Sequence, residues 1–241
     1  MFRLLTIFCT LALQCLFGQY YSQMGQDKYL NEQFFKNMKG GTFVEFGAYD
    51  GLTISNSLFF ENELGWTGIC LEPLPEHFAN LRTNRKCICI QGCVGPKSGV
   101  VDFLKINGGH WYNQMLSGVV SAYDPRHLNR IEQEVKDANT QKVYANKEII
   151  KVPCYRLADL LDQYKMPHIN YLSIDTEGGE LEILQSIDFK KYQIDLISVE
   201  DNYGDAQLRQ FLESQGFEFV KKLECDLIFK NKSATFASMG Q

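Results

Sequence analysis

A chain of 241 residues with 45% hydrophobic and 22% charged side chains carries enough apolar material for one sizeable domain, which excludes a disordered chain. The net charge of −5, with acids and bases interspersed, excludes the basic surface that nucleic acid requires. No polybasic or long basic amphipathic stretch marks a membrane surface.

The first 18 residues stand apart: Arg3 is followed by an apolar run from Leu4 to Phe17 and by Gly18, the order of a secretory signal peptide. Thr10 and Gln14 interrupt the run, which is shorter than the roughly 20 residues of a spanning helix. The expectation is a signal peptide over 1–18, one domain over 19–241, and a secreted or secretory-pathway protein with no stable membrane span after cleavage. An uncleaved N-terminal anchor is the alternative. Cleavage leaves Cys70, Cys87, Cys89, Cys93, Cys154 and Cys225, an even number, from which one or two disulfides of unread partners are expected. Their spacing matches no usual zinc site. Asn231 begins an N-K-S glycosylation motif.

A short helical pattern at Tyr29, Leu30, Phe34 and Phe35 precedes GTFVEFGAYDG, a strand that runs into a glycine turn. A helix around Ser55 to Leu64, a strand in TGICLEP, a helix in PEHFANLRTN and a strand in KCICIQGCV complete two βα units and a third strand. Residues 96–146 show one strand, VVDFLKI, then an aromatic, glycine-bearing stretch without period, read as an irregular excursion over one edge of the domain. EIIKVPCYRLADLLDQY gives a strand and a helix, and INYLSID, ELEILQSI, IDLISVE and DAQLRQFLESQG alternate strand with helix. FEFVKKL and CDLIFKN are so close that they must pair antiparallel. The pattern predicts an α/β fold: a doubly wound, mostly parallel sheet with a C-terminal antiparallel hairpin. Its ligand then belongs at the carboxyl ends of the strands, where FGAYDG, LEP, QGCVG and DTEGGE fall.

The first of these loops has Gly47 and Gly51 but not the spacing of a dinucleotide fingerprint. A pyrophosphate there would lie beside Glu45 and Asp50, at a cost of about 4 kcal/mol per like-charged pair near 4 Å. S-adenosylmethionine carries a sulfonium and an amino group and no phosphate, so the same acids attract it. Glu72, some twenty residues past the glycine turn at the end of the second strand, is placed to bond the hydroxyls of a cofactor ribose. Each of these acids also has a bland reading as a turn cap or helix-entry residue.

SQMGQD, FVEFGAYDGLTISNS, CLEPLPEHFANL, SGVVSAYD and above all IDTEGGELEIL resemble the FkbM family of methyltransferases, class I enzymes dependent on S-adenosylmethionine. The resemblance implies a seven-stranded sheet with a reversed last strand, and O-methylation of a hydroxyl on a sugar or other small molecule. It places Glu45, Gly47, Asp50, Gly51 and Glu72 around the cofactor, and Gln91 and Gly92 beside its adenine.

Asp175, at the end of the fourth strand, then faces the reacting methyl, with Glu177 one step further along the loop. A carboxylate there accepts the proton of the acceptor hydroxyl: Asp175 is the first choice, Glu177 the second, His110 and His168 the alternatives. Glu180 fits equally well as an ordinary first-turn acid. Glu200, Asp201 and Asn202, after the fifth strand, either line the acceptor side or simply begin a loop. A divalent metal held by several of these carboxylates is an open alternative, but no histidine or further acid in the local run makes it compelling, and no metal ligand is assigned. The partner is a small-molecule or glycan acceptor; the alternative is a non-catalytic secreted or lumenal protein of this fold that binds a protein partner.

Overall fold

The computed structural model describes residues 19–204 and 206–236. The expected signal peptide lies outside the described residues. Among those described, no helix is long and apolar enough to cross a membrane.

The chain begins with helix α1 (Gln26–Leu30), continued by a π-helical turn over Asn31–Phe35, and enters strand β1 (Thr42–Phe46). Helix α2 (Leu58–Leu64), β2 (Thr67–Glu72), α3 (Pro75–Asn84) and β3 (Ile88–Gln91) follow. After the short β4 (Cys93–Val94) come β5 (Gly99–Gly108), α4 (Trp111–Met115), β6 (Gly118–Val119), α5 (Pro125–Thr140) and β7 (Ala145–Tyr155). The second half runs α6 (Leu157–Gln163), β8 (His168–Ile174), α7 (Glu180–Gln185), β9 (Gln193–Glu200), α8 (Ala206–Ser214), β10 (Phe217–Leu223) and β11 (Asp226–Asn231).

Seven strands form the main sheet in the order β10-β11-β9-β8-β1-β2-β3. β1 pairs parallel with β2 on one side and β8 on the other, so Val44 lies between Ile69 and Leu172. β11 runs antiparallel to both β9 and β10, the reversed strand and hairpin expected from FEFVKKL and CDLIFKN. Alternate residues feed two cores. Val44, Phe46, Leu172 and Ile197 pack under α6, α7 and α8 through Leu160, Leu184 and Leu212. Phe43, Tyr171, Leu196 and Ile228 pack under α1, α2 and α3 through Leu30, Phe60 and Leu81. Each such side chain contributes about 1.5–3 kcal/mol through burial, and covering both faces is what parallel strands require.

The stretch 96–146 is ordered, and the irregularity expected of it is corrected. β5 and β7 pair antiparallel over their whole length, from Gly99 opposite Cys154 to Gly108 opposite Ala145, in a second sheet of order β4-β7-β5-β6. α5 has clear sequence marks after all. Asp124 accepts a hydrogen bond from the Arg126 N–H at 2.7 Å and Pro125 takes the first helical position. Ile131 and Ala138 then point to the core at helical spacing. The aromatic stretch before Asp124 masked that period.

The six described cysteines are free thiols, against the expectation of one or two disulfides. Cys70 and Cys87 bring their sulfurs to 3.6 Å, and Cys93 lies opposite Cys154 across paired strands. The Asn231 amide donates to the Ile194 carbonyl at 2.9 Å, which ties it into the sheet.

Candidate active site

Strand order reverses between β1 and β8, and the loops that leave these two strands touch. Gly47 has φ of 74°, and a Cβ there would run into the carbonyl oxygen of Asp175. Only glycine meets both demands. The approach fixes the glycine turn after β1 against the acidic loop after β8.

Around this contact lies a cavity of about 260 Å³. Of the residues expected at the cofactor, Glu45, Gly47, Glu72 and Gly92 line it; Asp175 and Glu177 line it too. Asp50, Gly51 and Gln91 stand outside its wall. Asp50 closes its own turn, accepting from the N–H groups of Leu52 and Thr53 at 2.9 and 2.7 Å and from the Thr53 hydroxyl at 2.8 Å. Gly51 backs onto Leu81 and Arg85, and Gln91 pairs with Glu72 at the strand edge.

Glu45 corrects the simple picture of acids aimed at a cation. It is 2% exposed, and its carboxylate accepts from the Asn56 N–H at 2.7 Å, from the hydroxyls of Ser55 and Ser57, and from Arg85 Nη1 at 3.4 Å. The Arg85 guanidinium also holds Glu61 at 3.3 Å. Glu45 is therefore neutralised from within the protein. Glu72 is also engaged: Oε2 accepts from the Tyr49 N–H at 3.0 Å and Oε1 from the Leu74 N–H at 2.9 Å, with His77 Nδ1 3.7 Å away. Burial pushes its pKa up.

The acids of the β8 loop are less fully compensated: Arg130, in the cavity wall, acts on Glu177 by its charge, and Asp175 has no lysine or arginine ion pair among the described residues. Burial first, then the charges of Asp226 and Glu180, push the Asp175 pKa up to about 7. Glu177 is raised by burial and by Asp175, and Glu200, at the end of β9, by burial and by the other two. One carboxylate oxygen from each of Asp175, Glu177 and Glu200 lies within 4.8 Å of the other two. Glu200 is the further acid missing from the local run, and strand pairing delivers it. Glu180 stays with the loop, accepting from the Gly178 N–H at 2.8 Å and the Thr176 hydroxyl at 2.9 Å.

Neither histidine proposed as an alternative base is near. His168 sits at the opposite end of β8, 2.8 Å from Asp195, and His110 caps α4. His127, from the helix hidden in the aperiodic stretch, is the one beside the acids, with Nδ1 3.5 Å from Glu177. The inserted unit also supplies Phe103, Tyr112, Leu116 and Val119 to the cavity wall, and α1 supplies Gln26, which donates to Asp226 at 2.5 Å.

A second cavity, about 550 Å³, lies beyond the acids and shares Glu177, Glu200 and Asn202 with the first. Its other walls include Lys97, Tyr123, Arg126, His127 and Tyr203 and the loop Gly178–Gly179. Gly178 has φ of 139° and packs so tightly on the Ala122 carbonyl that a Cβ would lie 2.7 Å from it. The paired glycines of DTEGGE therefore serve the contact with the inserted unit, and the acids serve the cavities.

A mostly parallel sheet with one reversed strand, and a cavity at its switch point walled by a glycine turn and strand-end acids, define a class I methyltransferase fold. The chain belongs to the family of the methyltransferase FkbM domain, whose sequence model matches residues 45–219. It is 26% identical over 156 residues to Methyltransferase 1 of Beauveria bassiana (strain ARSEF 2860), covering 63% of this chain and 62% of that protein. Looser likenesses link it to the solved structures of a human methyltransferase 10 domain containing protein (13% identity, TM-score 0.42, 86% of this chain and 79% of that one) and of the delta-N METTL16 MTase domain (13%, 0.38, 86% and 78%).

Proposed function

We propose that the protein is an S-adenosylmethionine-dependent O-methyltransferase acting on a hydroxyl of a sugar or other small molecule. One observation carries this reading: Asp175, Glu177 and Glu200 meet where two cavities join, and one of those cavities holds Gly47, Glu72 and Gly92 in its wall. The donor belongs in the smaller cavity and the acceptor in the larger. In the reaction the acceptor oxygen forms a bond to the methyl carbon as the carbon–sulfur bond breaks. The sulfonium leaves as a neutral thioether and the hydroxyl proton passes to a carboxylate. Asp175 takes that role first and Glu177 second, since a base is most effective with a pKa near the working pH. Placing donor and acceptor in line supplies much of the rate.

Calorimetry with S-adenosylmethionine and with its demethylated product tests the reading. Binding of both is expected, and absence of both rejects it. Residues 1–18 are proposed to carry the protein into the secretory pathway, so N-terminal sequencing of exported protein should begin near Gln19; a chain that retains Met1 overturns that.

A further inference from the structure

In the wall of the smaller cavity the inserted unit and the main sheet meet through one buried histidine. His77, in the first turn of α3, lines this cavity and is 6% exposed. Its Nδ1 stands 3.7 Å from Glu72 Oε1, an ion-pair distance, and its Nε2 stands 3.0 Å from Gln114 Oε1 of α4. The Gln114 amide is turned this way round because its Nε2 donates to the Gly108 carbonyl at 3.5 Å. Both ring nitrogens of His77 therefore face acceptor oxygens. A neutral imidazole has one N–H and serves only one of them, whereas an imidazolium serves both.

The surroundings favour that charge. The proton between His77 and Glu72 belongs on the ring, because the carboxylate already accepts a backbone N–H at each oxygen, from Leu74 and from Tyr49, and such bonds hold a carboxylate ionised. The Tyr49 ring packs against the imidazole with centroids 4.2 Å apart, within the range at which an aromatic ring attracts a cation. Glu76, the neighbour of His77 in α3, adds a carboxylate, itself held by Lys105 of β5 at 2.6 Å. Burial opposes the charge on the ring, but the contacts with Glu72 and Gln114 and the charge of Glu76 outweigh it and raise the His77 pKa.

We propose that His77, held as an imidazolium between Gln114 and Glu72, is a positioning residue for the methyl donor: it keeps Glu72 ionised and turned to accept a hydrogen bond from the donor's ribose. The role rests on the methyl-transfer reading, which puts the donor in this cavity. A carboxylate offers about four acceptor positions. Leu74 and His77 occupy those of Oε1 and Tyr49 one of Oε2, which leaves one on Oε2 for a ribose hydroxyl. When His77 loses its proton, the Nδ1 lone pair faces Oε1 and the two repel, so the carboxylate is no longer held. The raised pKa sets the direction: donor affinity is full below it and falls as pH rises through it.

The test first follows the four histidine side chains of the full chain by NMR as pH is raised, with His77 assigned by the signal lost in His77→Gln. The His77 midpoint is expected above the ordinary value of about 6.5, and lower in Gln114→Leu, which removes the outer acceptor. A wild-type midpoint at or below that value overturns the proposal. Calorimetry with the demethylated product of S-adenosylmethionine, which keeps the ribose, then reads the role. Between about pH 6 and about pH 9 the wild-type affinity should fall about tenfold relative to that of His77→Gln, whose amide donates to Glu72 at any pH. Asp175 and the ligand's amino group titrate alike in both proteins and cancel. In Gln114→Leu the fall should move to lower pH together with the His77 midpoint, which tests the role without replacing the histidine. A side chain that merely packs would change affinity by one factor at every pH. Binding with the same pH dependence in wild type and His77→Gln refutes the role of His77 and leaves the methyl-transfer reading intact; no binding of this product or of S-adenosylmethionine at any pH rejects that reading and the role with it.

Discussion

Two clusters of acid at the carboxyl ends of neighbouring strands, one buried and one half-buried, are treated in opposite ways. At the end of β1, Glu45 is enclosed by Ser55, Asn56, Ser57 and Arg85, so every charge has its partner. At the ends of β8 and β9, Asp175 and Glu200 face cavities whose walls hold Arg130, Lys97 and Arg126, yet neither acid has a lysine or arginine ion pair among the described residues. A balanced cluster holds a loop in place. An unbalanced one is held folded by the rest of the domain and gains its balance from what binds, which is why strongly perturbed acids mark functional sites.

The contrast can be broken from either side. The largest effect is expected for Asp175→Asn: turnover should fall about 10²- to 10⁴-fold with S-adenosylmethionine affinity retained, measured by product formation and calorimetry. Unchanged turnover would remove Asp175 from the role of base. Arg85→Met attacks the balanced cluster. It strands Glu45 and Glu61 together and should cost about 3–5 kcal/mol in urea denaturation, much of it recovered when Glu45→Gln and Glu61→Gln are added. Gly47→Ala forces a side chain against the Asp175 carbonyl from a left-handed backbone. A loss of about 1–3 kcal/mol is expected, with weakened donor binding. Asp50→Ala removes hydrogen bonds that close the β1 turn and should cost about 1 kcal/mol. Its effect on the donor should be indirect and small, since the side chain lies outside the cavity wall. The smallest effect has the opposite sign: Glu200→Gln should gain up to about 1 kcal/mol at neutral pH by relieving repulsion from Asp175 and Glu177.

Much of the fold was legible because it is periodic. Apolar runs such as FVEF, ICLE and ISVE, alternating with helices, announced a covered parallel sheet, and the brief gap between the last two strands announced the hairpin. The helix Pro125–Thr140 went unread because the aromatic stretch before it has no period, although Asp124-Pro125 was a usable start signal. Glu45, Glu72, Asp175 and Glu177 were legible as acids at or just past strand ends. Nothing in their spacing tells that Glu45 spends its charge on Arg85 while Asp175 keeps its own.

The sequence alone determined which residues stand at strand ends, because a side chain's place along a strand or turn depends on its near neighbours. Only the tertiary structure decided which of those ends meet: Glu200 beside Asp175, His127 beside Glu177, Arg85 across from Glu45. Strand order and the packing of the inserted unit set these encounters, and local periodicity carries no record of either. A carboxylate in such a position is defined chemically by the partners brought to it from afar.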